Sequence, residues 1–285
     1  MLTIAAPAKI NIVLEVLGKR DDGFHEIRSI VRTIGLYDSM SLETAGDISL
    51  NCSEPALQTP DNLVLRAANL LKQHSRYKGG AAIALNKRIP WSAGLGGGSS
   101  DAAATLSGLN RLWNLQLQPS ELLELAAQLG SDVPLFIHQG TVLITGRGEK
   151  ITPLPAASSP RWFVLLLPPA SGGSGLPEKT KKMYAQLNSR YFTEGQHTAR
   201  ALEQWYNNQE IPASLLFNVF DFIVFDVFPE LGVYWRHFEQ AGAANIHVAG
   251  SGPTLFAPMD SEAQATEISM PLISAGLTVY TVSTT

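Results

Sequence analysis

The sequence predicts an α+β protein in two domains, with strands and helices mixed rather than alternating one for one. Three observations carry that expectation. The 285 residues amount to two domains at about 150 residues each. Runs of strand type and runs with apolar residues at helical spacing follow one another without βαβ regularity. Between 153 and 160 the composition changes, with Pro153, Pro155, Ser158, Ser159 and Pro160 clustered. The domains are therefore expected at 1–153 and 160–285.

Taken in order, Ile10 to Leu17 alternates loosely and is rich in Ile and Val, as a half-buried strand should be. A polar turn from Gly18 to Gly23 follows, with Gly23 free to take positive φ. Apolar stretches from Ile27 to Leu36 and from Met40 to Leu42 read as further antiparallel strands. Asp61-Asn62 opens a helix, Ala81 to Leu85 is a strand, and a glycine-rich loop leads into the helical run Asp101 to Trp113. Pro119-Ser120-Glu121 starts another helix, which Gly130 should end. Trp162 to Leu167 is a buried-type strand and Pro168 to Gly175 a flexible loop. Helical patterns then run to about Gly242, and strands at Ile246–Ala249 and Thr254–Ala257, a helix and a last strand close the chain.

Composition removes several function classes. Apolar residues make up 45%, charged residues 16%, and mean hydropathy is +0.05, which excludes a disordered chain. The 21 Lys and Arg against 25 Asp and Glu leave a formal charge of −4, a poor balance for binding nucleic acid. Cys52 is the single cysteine, so a disulfide framework and a thiolate zinc site are ruled out. The most apolar segment, Ser214 to Phe228, contains Asp221 and Asp226, which argues against a membrane span. The N-terminus lacks a basic leader and reads as a strand. A cytoplasmic protein is expected, and its oligomeric state is not legible.

The strongest chemical signal is Pro90-Trp91-Ser92-Ala93-Gly94-Leu95-Gly96-Gly97-Gly98-Ser99-Ser100. Four glycines in five positions let the backbone approach a ligand closely and aim successive N–H groups at it. Ser99 or Ser100 is expected to cap the alanine-rich helix that follows, bringing its positive end to the same loop. Such a loop suits an anion, and a polyphosphate above all. It is not a Walker A loop, because no Gly-Lys-Ser/Thr occurs. A Rossmann fingerprint started at Gly94 would need glycine where Ser99 stands, and no G-x-S-x-G is present. A metal site on His25-Glu26 is not expected, because Ser29 stands where an H-E-x-x-H motif needs its second histidine.

Pro90 to Ala104 resembles the phosphate-binding motif of the GHMP kinases. Pro7-Ala8-Lys9-Ile10-Asn11, followed by Arg20-x-Asp22-Gly23-Phe24-His25, resembles the start of one member that acts on a cytidyl substrate. Ala249-Gly250-Ser251-Gly252-Pro253-Thr254 resembles the third family motif. The likeness covers nearly the whole chain in the right order. It implies a two-domain GHMP kinase fold with the active site in the cleft between domains. It also implies ATP as phosphoryl donor, Mg²⁺ with it, and a hydroxyl of a cytidyl small molecule as acceptor, in isoprenoid precursor synthesis.

The resemblance implies roles for individual residues. Lys9, otherwise a strand-end surface cation, becomes the active-site lysine. Asp132, otherwise a turn or cap aspartate, becomes the base that accepts the attacking hydroxyl's proton. Asn11 and His25 fall to substrate binding, His25 at the cytosine edge, with Phe24 and Tyr184 stacked on the base. Ser99 or Ser100 would offer a hydroxyl to Mg²⁺. Two departures stand out: Phe24 where relatives usually have Tyr, and Asn218-Val-Phe-Asp221 where they commonly read N-D-L-E.

Overall fold

The computed structural model describes residues 1–169 and 179–285. They divide into two compact units that are not contiguous in sequence. Unit 1 takes residues 1–8, 36–91 and 96–139, and unit 2 takes 9–35, 92–95 and 140–285. The Pro- and Ser-rich stretch at 153–160 falls inside unit 2. Two long strands, β1 (Leu2–Lys19) and β2 (His25–Ala45), pass from one unit into the other. Residues 6–16 of β1 are all buried, so this stretch is covered on both faces rather than half-exposed.

In unit 1, the end of β2 pairs antiparallel with β4 (Gly80–Asn86), from Ser39 opposite Asn86 to Ala45 opposite Gly80. The short β3 (Ser49–Cys52) runs parallel to β4. Four helices belong to this unit: α1 (Leu63–Ser75), α2 (Gly97–Leu112), α3 (Pro119–Leu129) and α4 (Val133–His138). Asn62 caps α1 by accepting from the Val64 N–H at 2.8 Å. α3 has Pro119 in its first turn and a capping box between Gln118 and Glu121, and it stops one residue before Gly130, as its letters require. α2 lies close on the sheet. A Cβ at Gly108 would stand 2.4 Å from both Ile4 Cδ1 and Leu42 Cδ1.

In unit 2, β5 (Thr141–Gly146) pairs antiparallel with the first half of β2, and β6 (Lys150–Pro153) extends from β5. A second sheet has the order β11-β7-β10-β9. Its central strand β7 (Trp162–Leu167) holds Phe163, Val164, Leu165 and Leu166 fully buried. β8 (Phe217–Asn218) joins β1 in parallel at Val13 and Leu14, and β9 (His247–Val248), β10 (Leu255–Met259) and β11 (Thr278–Ser283) close the topology. The helices here are α5 (Lys179–Gln186), α6 (Gln196–Asn208), α7 (Val224–Val227), α8 (Leu231–Gln240) and α9 (Glu262–Ser274). The loop expected over 168–175 falls mostly outside the described residues. Among the described residues, no helix is long and apolar enough to cross a membrane.

Candidate active site

The alternation of β1 puts Lys9 and Asn11 on one face of the strand. Lys9 Nζ donates to Asn11 Oδ1 at 2.8 Å, Asn11 Nδ2 donates to Ser29 Oγ at 2.8 Å, and Ser29 Oγ donates to the Val13 carbonyl at 2.6 Å. All three side chains are buried, so the ammonium is aimed by a chain of fixed bonds rather than waving at a strand end. The Lys9 N–H also donates to the Leu95 carbonyl at 2.9 Å, tying the glycine loop to the same residue.

Within unit 2, Ser92–Leu95 lies against the third motif at 249–252. Gly94 has φ +86°, and a Cβ there would stand 2.1 Å from the Ala249 carbonyl oxygen and 3.0 Å from that of Gly252. Gly250 (φ +56°) lies so close to Lys9 that a Cβ would be 3.1 Å from its Nζ. Gly23 has nearly the same φ, +84°, with nothing within 4 Å of a Cβ. We therefore expect Gly94→Ala to weaken ATP binding at least ~10-fold, and Gly23→Ala to show only the backbone strain the two positions share. ATP titration of both folded variants checks this, and equal affinities would make the loop a mere turn.

The third motif is held from outside by Asn218 and Asp221. Asn218 Nδ2 donates to the carbonyls of Val248 and Gly250 at 2.8 and 2.9 Å, and Asn218 Oδ1 accepts from the Phe220 N–H at 3.0 Å. Asp221 accepts from the Val248 N–H at 2.9 Å and lies 2.7 Å from His247 Nδ1. Burial pushes the Asp221 carboxyl up, opposed by its bond to His247. The divergent segment thus retains a defined job. Asn218→Ala would orphan buried backbone groups, each worth about 1–3 kcal/mol, so its urea midpoint should fall clearly at unchanged slope.

His25, at the start of β2, stacks on Tyr184 with centroids 5.0 Å apart and planes 27° apart. Phe192 meets its edge at 6.1 Å, and Phe220 meets Tyr184 edge-on at 5.0 Å. Burial, and then the charge of Lys19, lower the His25 pKa, which favours the neutral ring. Phe24 is 53% exposed and carries the Arg147 guanidinium 4.9 Å from its centroid.

In unit 1, helix α2 starts at Gly97 with Gly96 (φ +75°) as its N-cap, not at Ser99 or Ser100 as expected. The glycine's left-handed backbone turns the chain into the helix ahead of either serine. Gly97, Gly98 and Ser99 therefore supply the N–H groups that have no partner within the helix. The Ser100 hydroxyl is buried without a hydrogen-bond partner among the described residues, which fits a hydroxyl kept for a ligand. Below the loop, Lys87 Nζ lies 2.5 Å from Asp38 Oδ2 and 2.6 Å from Asp101 Oδ2. Asp38 also accepts from the Arg88 and Ile89 N–H groups at 2.5 and 2.8 Å. Burial pushes the Asp101 carboxyl up, against the pull of Lys87. Sequence reading passed over this triad, because nothing local links residues 38, 87 and 101.

Asp132 sits at the N-cap position of α4, yet its side chain makes no capping bond and is exposed. The side chain therefore does not cap α4, and Asp132 stands in the turn that precedes it. Among the described residues, no group of three or more His, Cys, Asp or Glu is arranged to hold a metal.

Residues 62–140 match the GHMP kinases N terminal domain. The chain is 41% identical over 284 residues to the 4-diphosphocytidyl-2-C-methyl-D-erythritol kinase of Dehalococcoides mccartyi, which spans 100% of this chain and 98% of that one. A crystal structure of 4-(cytidine 5'-diphospho)-2C-methyl-D-erythritol kinase superposes with TM-score 0.83 at 30% identity, over 99% of each chain. The mevalonate kinase of Methanococcus jannaschii, 14% identical with TM-score 0.71 over 100% of this chain and 98% of that one, shares the fold alone. With its three motifs in order and a likeness running from end to end, the chain belongs to the 4-diphosphocytidyl-2-C-methyl-D-erythritol kinases of the GHMP kinase family.

Proposed function

We propose that the chain transfers the γ-phosphoryl group of ATP to the 2-hydroxyl of 4-diphosphocytidyl-2-C-methyl-D-erythritol, in the cytoplasmic, non-mevalonate route to isoprenoid precursors. The observation that carries this reading is the buried Lys9–Asn11–Ser29 frame bonded to the glycine loop at Leu95, in a chain 41% identical to such a kinase over its length. In the step itself the acceptor oxygen attacks the γ-phosphorus, the bond to the ADP oxygen breaks, and the hydroxyl proton passes to Asp132. Lys9 meets the negative charge that the transferring group carries. The loop from Pro90 to Ser100 receives the donor's phosphates on its N–H groups. His25 and Tyr184 receive the cytosine, one by its edge and one by its face. Ser99 or Ser100 would hold Mg²⁺ through its hydroxyl, and the ion would supply charge neutralisation at the phosphates.

The test is ADP release with ATP and the cytidyl substrate, run beside homoserine and mevalonate. Turnover confined to the cytidyl substrate is expected. Preference for another acceptor would move the chain to a different GHMP reaction, and no turnover with any would leave a nucleotide-binding regulator.

A further inference from the structure

Lys179 begins α5, and sequence reading gave it no role. Its Nζ donates to the Ser92 carbonyl at 2.9 Å and, by a shorter bond, to the Gly252 carbonyl. The next residue continues the contact, with Thr180 Oγ1 3.1 Å from Ser251 Oγ. A lysine from a third segment thus joins the glycine loop to the third motif, in the unit that also holds Lys9.

The chemistry of that position is unusual. Burial, and then the neighbouring charge of Lys9, lower the Lys179 pKa to about 8. Carbonyl oxygens orient an ammonium but do not neutralise it. Among the described residues no carboxylate pairs with Lys179. Two ammoniums therefore face one locality where neutral dipoles are the partners of the second. A simple tether between two loops would not need the charge, because a neutral amide also offers N–H donors to carbonyls. What the charge adds is attraction for an anion, beside a loop built to receive phosphate.

We propose that Lys179 is a phosphate-binding cation of the active site, which shares with Lys9 the phosphoryl oxygens of one of the two substrates. The assignment rests on the kinase reading above. The ligand chemistry is a phosphate ester or anhydride, supplied either by ATP or by the diphosphate of the cytidyl acceptor.

Three measurements test it. Lys179→Gln keeps N–H donors for Ser92 and Gly252 without the charge, and Lys179→Arg keeps the charge. We expect the Gln variant to raise KM for one substrate about 10- to 100-fold, the scale of a lost charge-assisted bond, and the Arg variant to restore most of it. A rise confined to ATP assigns Lys179 to the donor, and a rise confined to the cytidyl substrate assigns it to the acceptor. Inorganic tripolyphosphate binding supplies a readout without catalysis. Wild-type affinity should fall, relative to the Arg variant, as pH rises past about 8, because the wild-type amine then loses its proton while guanidinium does not. A Gln variant with wild-type KM for both substrates, or wild-type and Arg curves that stay parallel from pH 7 to pH 9.5, would overturn the proposal. If wild type turns over no cytidyl substrate, the kinase reading fails, and the tripolyphosphate curves still decide the role of Lys179.

Discussion

Replacing Asp132 by Asn is expected to lower kcat by about 10²–10⁴ while leaving ATP affinity nearly unchanged, the usual result of losing a general base. The substitution keeps size and shape but removes the basic lone pair. It should leave the fold intact, because the side chain is exposed and caps nothing at the start of α4. A folding defect would therefore not confuse the result. Measuring ADP release and ATP affinity on the same preparation separates chemistry from binding. Turnover near that of wild type would remove Asp132 from the step and return it to the role of an ordinary surface carboxylate.

Wild type is expected to prefer the cytidyl substrate over its uridyl analogue by up to ~10⁴ in kcat/KM, since a polar site rejects a ligand that leaves its buried groups unpaired. Uracil places a carbonyl where cytosine has its amine, and an N–H where cytosine has an acceptor. The lowered pKa of His25 serves this discrimination. A neutral imidazole retains one acceptor nitrogen, whereas the protonated ring offers donors only. The preference should hold at neutral pH and decline as pH falls and the ring gains its proton. His25→Ala should lose most of it. Tyr184→Ala should weaken both analogues alike, because stacking does not distinguish the bases. Equal use of both nucleotides by wild type would end the base-reading role of His25.

Legibility in the sequence followed the range of the interactions. Helix α3 could be placed because Pro119, the Gln118–Glu121 box and Gly130 are all local signals. The start of α2 was placed too late, at Ser99 or Ser100 instead of Gly96, because a glycine cap has no side chain to announce it. The N-terminus reads as a strand and is one, β1 from Leu2, although Ala5, Ala6, Pro7 and Ala8 have little strand preference and burial supports the conformation there. Strands β5 and β6 were passed over, and β8 is only two residues long, visible only through its pairing with Val13 and Leu14. The stretches read at 27–36 and 40–42 form one strand, β2, since Tyr37 to Ser39 carry no turn residue strong enough to break it.

The candidate site divides the same way. Lys9, Asn11 and the glycine loop were found because their own letters form a pattern. The side chains that aim them were not. Ser29 holds Asn11 from 18 residues away, Asn218 holds Gly250 from 32, and Lys179 reaches Ser92 across 87. No window of sequence contains both ends of such a bond, so a pattern search sees the reactive groups and misses what orients them.

The double use of Lys9 sets a limit on chain length. Its side chain points the ammonium through Asn11, and its backbone N–H fixes the glycine loop at Leu95. Side chains along a strand switch faces at every step, so adding or removing one residue reverses everything beyond the change. Deleting Ile10 would turn Asn11 to the face opposite Lys9, or else drag Lys9 off Leu95 to restore the pairing of Val13 with Phe217. Either way one of its two attachments is lost. Between Lys9 and Val13 the strand can exchange one apolar side chain for another of similar volume, but it has no freedom to lengthen or shorten. Hairpin variation is expected instead around Asp21 to Gly23, where the turn is exposed and no buried group keeps count.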